Sequence, residues 1–135
     1  MINYGNYKKI YSEISAGELF DKISILEIKK NKIKDKTKRN IVLKELSSLQ
    51  ETVNENIEKS KSLTKLYKKL KTVNLRLWKI EDDIRDCERK RNFEGKFTKL
   101  ARAVYFTNDE RSRVKNKINS LTKSNISEVK SYKKY

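Results

Sequence analysis

The sequence predicts an all-α protein, a single antiparallel bundle of about four amphipathic helices, and three observations lead there. The 135 residues contain no proline and only Gly5, Gly17 and Gly95, so the tight turns of a sheet protein have almost no residues to form them. Charged residues make up 39% of the chain and apolar ones 36%, a balance suited to long helices that bury one stripe and solvate the rest. Apolar residues also recur at steps of three and four through most of the chain. This length allows one domain with a modest core, divided here into an arm (1–14), a bundle (15–122) and a tail (123–135).

The arm is tyrosine-rich, with Tyr4, Tyr7 and Tyr11, and reads as extended. Ile10 and Ile14 alternate with polar residues and are expected to press onto the helices. The first helix opens on a capping box, Ser15-Ala16-Gly17-Glu18: the serine hydroxyl serves a backbone N–H and the glutamate three residues on returns the favour. Leu19, Ile23, Leu26 and Ile33 carry its stripe to about residue 34, and Asp35-Lys36-Thr37 is the expected turn. A second helix over about 37–60 follows from Val42, Leu46, Leu49, Val53 and Ile57, with its turn in Glu58–Ser62.

The third helix, about 63–92, has the most regular pattern. Leu66, Leu70, Val73, Leu77, Ile80, Ile84 and Cys87 alternate steps of four and three, a heptad seam that implies close packing on another helix. Cys87 reads as a small core residue of that seam. After a turn at Phe93–Phe97, the fourth helix (about 96–122) keeps the same register through Phe97, Leu100, Val104, Thr107, Arg111, Val114, Ile118 and Leu121. Helices three and four therefore form a long heptad-patterned hairpin, and the same seams leave room for a homodimer. The basic remainder, Lys123–Tyr135, reads as a loose tail.

A formal net charge of +16 invites nucleic-acid binding. Only eight of the 34 basic residues are arginines, however, and the lysines spread over every segment without one evident basic face. A solvated surface is therefore favoured over a polyanion site, and anionic glycans or a membrane surface would suit the charge equally well. With one cysteine and no histidine, an internal disulfide, thiol–histidine chemistry and the common zinc sites are excluded. No phosphate loop or Ser–His–Asp pattern occurs, and no cofactor or metal is expected. No apolar run approaches a membrane span and no signal segment is evident, so a cytoplasmic location is expected.

Three polar groups could carry chemistry. Asn74, Trp78, Glu81, Arg85 and Glu88 line one side of helix three beside its seam. They form either a pocket wall, with Trp78 as platform, Arg85 as anion clamp and Glu81 as acid, base or acceptor, or an amphipathic border with an ordinary i,i+4 pair. Arg102, Tyr105, Asn108, Asp109, Arg111 and Lys115 interrupt the apolar seam of helix four. If Arg111 faces the bundle it requires a carboxylate, and Asp109, Glu81 and Asp82 are the expected partners. In helix one, Asp21 and Lys22 have no local explanation and could join that network.

Four blocks of the chain resemble a small uncharacterised family found in bacteria and their phages. They are Ser15–Lys29, Asn74 with Leu77–Arg85 and Glu88, Leu100–Tyr105 with Asn108, Asp109, Arg111, Lys115, Ile118 and Asn119, and Glu128–Tyr132. The resemblance covers about residues 10–132. It implies no activity, the family being a domain of unknown function. Some bacterial members lie beside surface-polysaccharide genes or are joined to tetratricopeptide-repeat proteins, which implies a glycan-related or scaffolding role. Because the blocks fall on the polar stripes, the resemblance raises the weight of a shared site, and it implies that Tyr132 docks on the bundle. The expectation is a non-catalytic helical module that binds a partner protein or anionic ligand through Trp78, Glu81, Arg85, Arg102, Tyr105, Asn108, Asp109 and Arg111. A small all-α enzyme acting on a sugar or nucleotide derivative is the alternative, and charge-driven nucleic-acid binding the second.

Overall fold

The computed structural model describes residues 8–135, and these form four helices with no strand among them: α1 (Ala16–Lys32), α2 (Lys36–Asn56), α3 (Lys61–Arg89) and α4 (Gly95–Thr122). Each boundary falls within a few residues of its expected place, and local chemistry sets it. Ser15 Oγ accepts the Glu18 N–H at 3.1 Å, the serine half of the expected capping box, whereas the Glu18 carboxylate turns to Lys115 of α4 instead of returning to the Ser15 N–H. The helix α2 begins one residue earlier than expected, because Asp35 serves as its N-cap and its carboxylate accepts the Lys38 N–H. Ser60 does the same for Leu63, so α3 begins inside the stretch assigned to a turn. No helix is long and apolar enough to cross a membrane among the described residues.

The core has two parts. Leu19, Ile23 and Leu26 of α1 pack on Val42 and Leu46 of α2. Phe20, on another side of α1, packs on Leu63 and Leu70 of α3 and on Val114 and Ile118 of α4. The helix α1 thus lies between α2 and the α3–α4 pair. Along α3, Leu70, Val73, Leu77, Ile80 and Cys87 are buried, while Leu66 and Ile84 are half-buried.

At 1.5 Å per residue α1 is about 25 Å long and α3 about 43 Å, so α1 cannot cover its neighbour. Its hydrogen bonds, ion pairs and core contacts to the pair fall between Leu63 and Asn74 on α3 and between Arg111 and Asn119 on α4. The far part of the α3–α4 pair, including Trp78, Glu81 and Arg85, lies beyond that reach.

The arm differs from expectation. Ile10 is 96% exposed and Ile14 is also exposed, so neither is pressed into the core. The tie of this segment to the tail is Glu13, which accepts from Asn125 Nδ2 at 2.8 Å. Tyr4 and Tyr7 lie outside the described residues. The tail, by contrast, is placed against α4. Lys123 adopts a left-handed conformation (φ 55°) that ends α4, and the following residues run back along that helix from Asn116 to Asp109.

Candidate functional site

The polar residues that break the α4 seam meet α1. Asp21 is 1% exposed. Its Oδ1 accepts from Arg111 Nε at 2.9 Å and from Asn74 Nδ2 at 2.9 Å, and its Oδ2 accepts from a terminal nitrogen of Arg111 at 2.5 Å. Asn74 gives its second N–H to Ser24 Oγ at 2.7 Å, and that hydroxyl donates to the Asp21 carbonyl. A buried carboxylate, a forked guanidinium and an amide thereby lock three helices together. Hydrogen bonding to Asp21 raises the Arg111 pKa above its already high ordinary value, burial opposing it.

One turn further along α4, Lys115 places its ammonium 2.8 Å from Glu18 of α1 and 2.8 Å from Glu128 of the tail. Burial alone would lower its pKa, but the two carboxylates hold it above the ordinary lysine value. Burial would likewise raise Glu128, and Lys115 instead keeps that carboxyl below its ordinary range. Asn119 accepts the Gly17 N–H at 2.6 Å and donates to Asn116 at 3.2 Å. Asn116 in turn holds the tail backbone at Glu128 through both its oxygen and its nitrogen. The tail is thus tied to the start of α1 through α4. The backbone N–H groups at that helix start are all engaged, with Ser124 Oγ accepting from Ala16.

Above this network the tail and α4 enclose an open groove of about 1010 Å³. Tyr105, Asn108, Asp109, Arg111 and Arg113 come to it from α4, and Lys130, Tyr132, Lys133, Lys134 and Tyr135 from the tail. Asp109 accepts from the Tyr135 hydroxyl and, at 3.0 Å, from Lys130 Nζ, and these two contacts hold its carboxyl below the ordinary value. The Tyr135 ring meets Tyr105 edge-on at 5.3 Å and Phe106 at 4.7 Å. Arg113, Lys133 and Lys134 form no ion pair among the described residues.

Of the sequence-predicted site residues, Tyr105, Asn108, Asp109 and Arg111 come together in this groove. Trp78, Glu81 and Arg85 do not line it: they continue along α3 the stripe that Tyr67, Lys71 and Asn74 present to α1, and Glu81 and Arg85 pair with each other in solvent. Arg102 stacks on Phe106 at 5.8 Å and borders a separate, shallower depression near Gly95.

The expected partners of Arg111 are corrected. Asp109 lies two residues away and so faces another side of the helix, while Glu81 pairs with Arg85 on its own helix and Asp82 is exposed, and Asp21 takes the charge. Lys22 is exposed and makes no ion pair among the described residues. Tyr132 is 84% exposed; the tail docks through Glu128, Lys130 and Tyr135 instead. Sequence reasoning gave no role to Gly17 or Asn119 and only the cap to Glu18. A small residue inside a first turn was the available signal for close helix approach. No cluster of three or more potential metal ligands occurs among the described residues.

Comparison with known proteins gives one positive result. The model of a family described as Family of unknown function (DUF6165) matches residues 10–135. No curated protein matches the chain. No solved structure matches it.

Proposed function

The chain belongs to the DUF6165 family, whose function is unknown, and from its residues we propose a non-catalytic helical binding module whose groove between α4 and the tail takes an anionic ligand or an acidic partner. The observation that carries this reading is the set of three cations, Arg113, Lys133 and Lys134, that line one groove and have no ion-pair partner among the described residues. Everything behind them is already neutralised: Arg111 by Asp21, Lys115 by Glu18 and Glu128, Lys130 by Asp109. The three side chains are exposed on an open groove, and a cluster of one sign of charge there attracts phosphate or carboxylate groups. In this reading α3 and α4 form an antiparallel, heptad-spaced hairpin that serves as the spine of a single cytoplasmic domain, and an acidic surface glycan is one ligand of the class. Trp78, Glu81, Arg85 and Arg102, which lie outside the groove, are in this reading contacts for a partner protein rather than for the anion.

The catalytic alternative has less support. Asp109 and Glu128, the carboxylates of the groove, are both held below their ordinary range, so neither is poised to donate a proton near neutrality.

Calorimetric titration of the whole chain with pyrophosphate and with a heparin oligosaccharide tests the proposal. Saturable one-to-one binding that is lost in a Lys133→Glu, Lys134→Glu variant of unchanged helicity is expected. Failure of both probes to bind, or binding no weaker in the variant, overturns it.

A further inference from the structure

The groove's free charged groups are one-sided in their chemistry. Its carboxylates and amide oxygens are engaged: Asp109 with Lys130 and Tyr135, Asn108 Oδ1 with Arg111, Asn116 Oδ1 with the Glu128 N–H, and Glu128 in an ion pair with Lys115. Among the described residues what remains charged is cationic, namely Arg113, Lys133 and Lys134, beside the hydroxyls of Tyr105 and Tyr132. A hydroxyl-rich neutral sugar needs acceptors as well as donors and finds few here. A phosphate, which only accepts, finds what it needs.

The same wall carries aromatic rings that the core does not use. Tyr132 is 84% exposed and Tyr135 71%, and Tyr105 shows about two-fifths of its surface. Tyr105 stacks on Phe106 at 5.0 Å, with Arg102 over that second ring, and meets Tyr135 edge-on at 5.3 Å, so a base stacking on Tyr105 does so beside or in place of Tyr135. From Tyr105 to Asn116 the groove follows α4 for about 16 Å at the helical rise per residue. Phosphate-seeking cations beside exposed rings are the combination that holds a nucleotide, since every nucleotide presents a flat base to stack and a phosphate charge to neutralise.

Resting on the anion-binding reading above, we propose that the groove between α4 and the tail binds nucleotides, with Tyr105 and Tyr132 stacking on the base while Arg113, Lys133 and Lys134 take the phosphate. The phosphorylated base comes either as a free nucleotide or within a single strand.

Equilibrium titration of the full chain with pyrophosphate, ribose 5-phosphate, AMP, an eight-nucleotide thymidine strand and an eight-base-pair duplex separates these cases. AMP is expected to bind on the order of 10-fold tighter than ribose 5-phosphate, the contribution of one stacked base. Tyr105→Ala should erase that advantage and leave pyrophosphate binding unchanged. Tyr132→Ala, at a position too exposed to affect folding, should reduce it in the same way. A strand that binds more than tenfold tighter than AMP identifies the strand as the source, and a strand no tighter than AMP identifies the free nucleotide. Equal affinity for AMP and ribose 5-phosphate, or a duplex that binds as well as the strand, overturns the stacking proposal while leaving the anion site standing. If AMP and the strand both fail to bind, the nucleotide proposal falls; the anion site falls with it only if pyrophosphate and the heparin oligosaccharide fail as well.

Discussion

Replacing Gly17 with alanine tests the closest helix contact in the molecule. A Cβ at residue 17 would lie 2.8 Å from Asn119 Oδ1 and closer still to the Lys115 carbonyl oxygen, which is α4 backbone and cannot rotate away. Ordinary contact begins at 3.4 Å, so α1 and α4 must separate by at least about half an ångström. Overpacking of this kind costs about 1–3 kcal/mol. The separation also strains the 2.6 Å hydrogen bond from Gly17 to Asn119, worth about 1 kcal/mol. Against these stands the helix preference of alanine over glycine, at most about 1 kcal/mol. The net expectation is a loss of about 1–3 kcal/mol, or a melting temperature lower by roughly 4–15 °C for a chain of this size. Thermal unfolding followed by circular dichroism measures it, with Gly95→Ala as the internal control, because nothing lies within 4 Å of a Cβ there. A Gly17→Ala protein as stable as the parent would refute the close approach, and with it the account of how α1 is held.

Removing one partner of the buried pair should cost far more than removing both. Asp21→Ala or Arg111→Met each strands a charge and should destabilise by about 3–5 kcal/mol, whereas Asp21→Leu with Arg111→Met should recover most of that loss in a denaturant double-mutant cycle; an Arg111→Met protein of unchanged or raised stability would instead mean that the charge is kept for binding. Stability should be flat from about pH 5 to pH 10. Glu27, Glu128 and Asp109 titrate below their ordinary values when folded, so their contribution is complete above those values and is lost as acid carries the pH through the lowered ones. Lys115 and Tyr67 are raised, so theirs is complete below the ordinary lysine and tyrosine values and fades only in strong alkali; melting temperatures across pH, with Glu128→Gln flattening the acid limb, check both signs. Cys87, 2% exposed, should resist an aromatic disulfide reagent in the native protein and react fully in denaturant.

Helix number, helix boundaries and the core stripe of α3 were legible in the sequence because they are local. Ser15, Asp35 and Ser60 cap the helices that follow them, and apolar spacing marks which face of each helix turns inward. The break in the α4 seam was legible too, since a charge in an apolar register is visible without coordinates. Its partner was not. Whether Arg111 would meet Asp21 or Glu81 depends on where α1 crosses the α3–α4 pair and how far it reaches. That is set by the lengths of α1 and α3 and by the fit of Gly17 against α4.

The tail shows the same division. Its motif was visible at Glu128–Tyr132, but an extended segment has no periodicity from which its contacts could be inferred. Lys115 and Asn116 of α4 draw in Glu128, while Asp109 draws in Tyr135 and leaves Tyr132 in solvent. The sequence alone determined an all-α chain with an interrupted seam, because capping and periodicity act over a few residues. Only the tertiary structure decided that the interruption is closed by α1 and that the free cations gather beside it, because charges far apart in sequence find their neighbours only when helices pack.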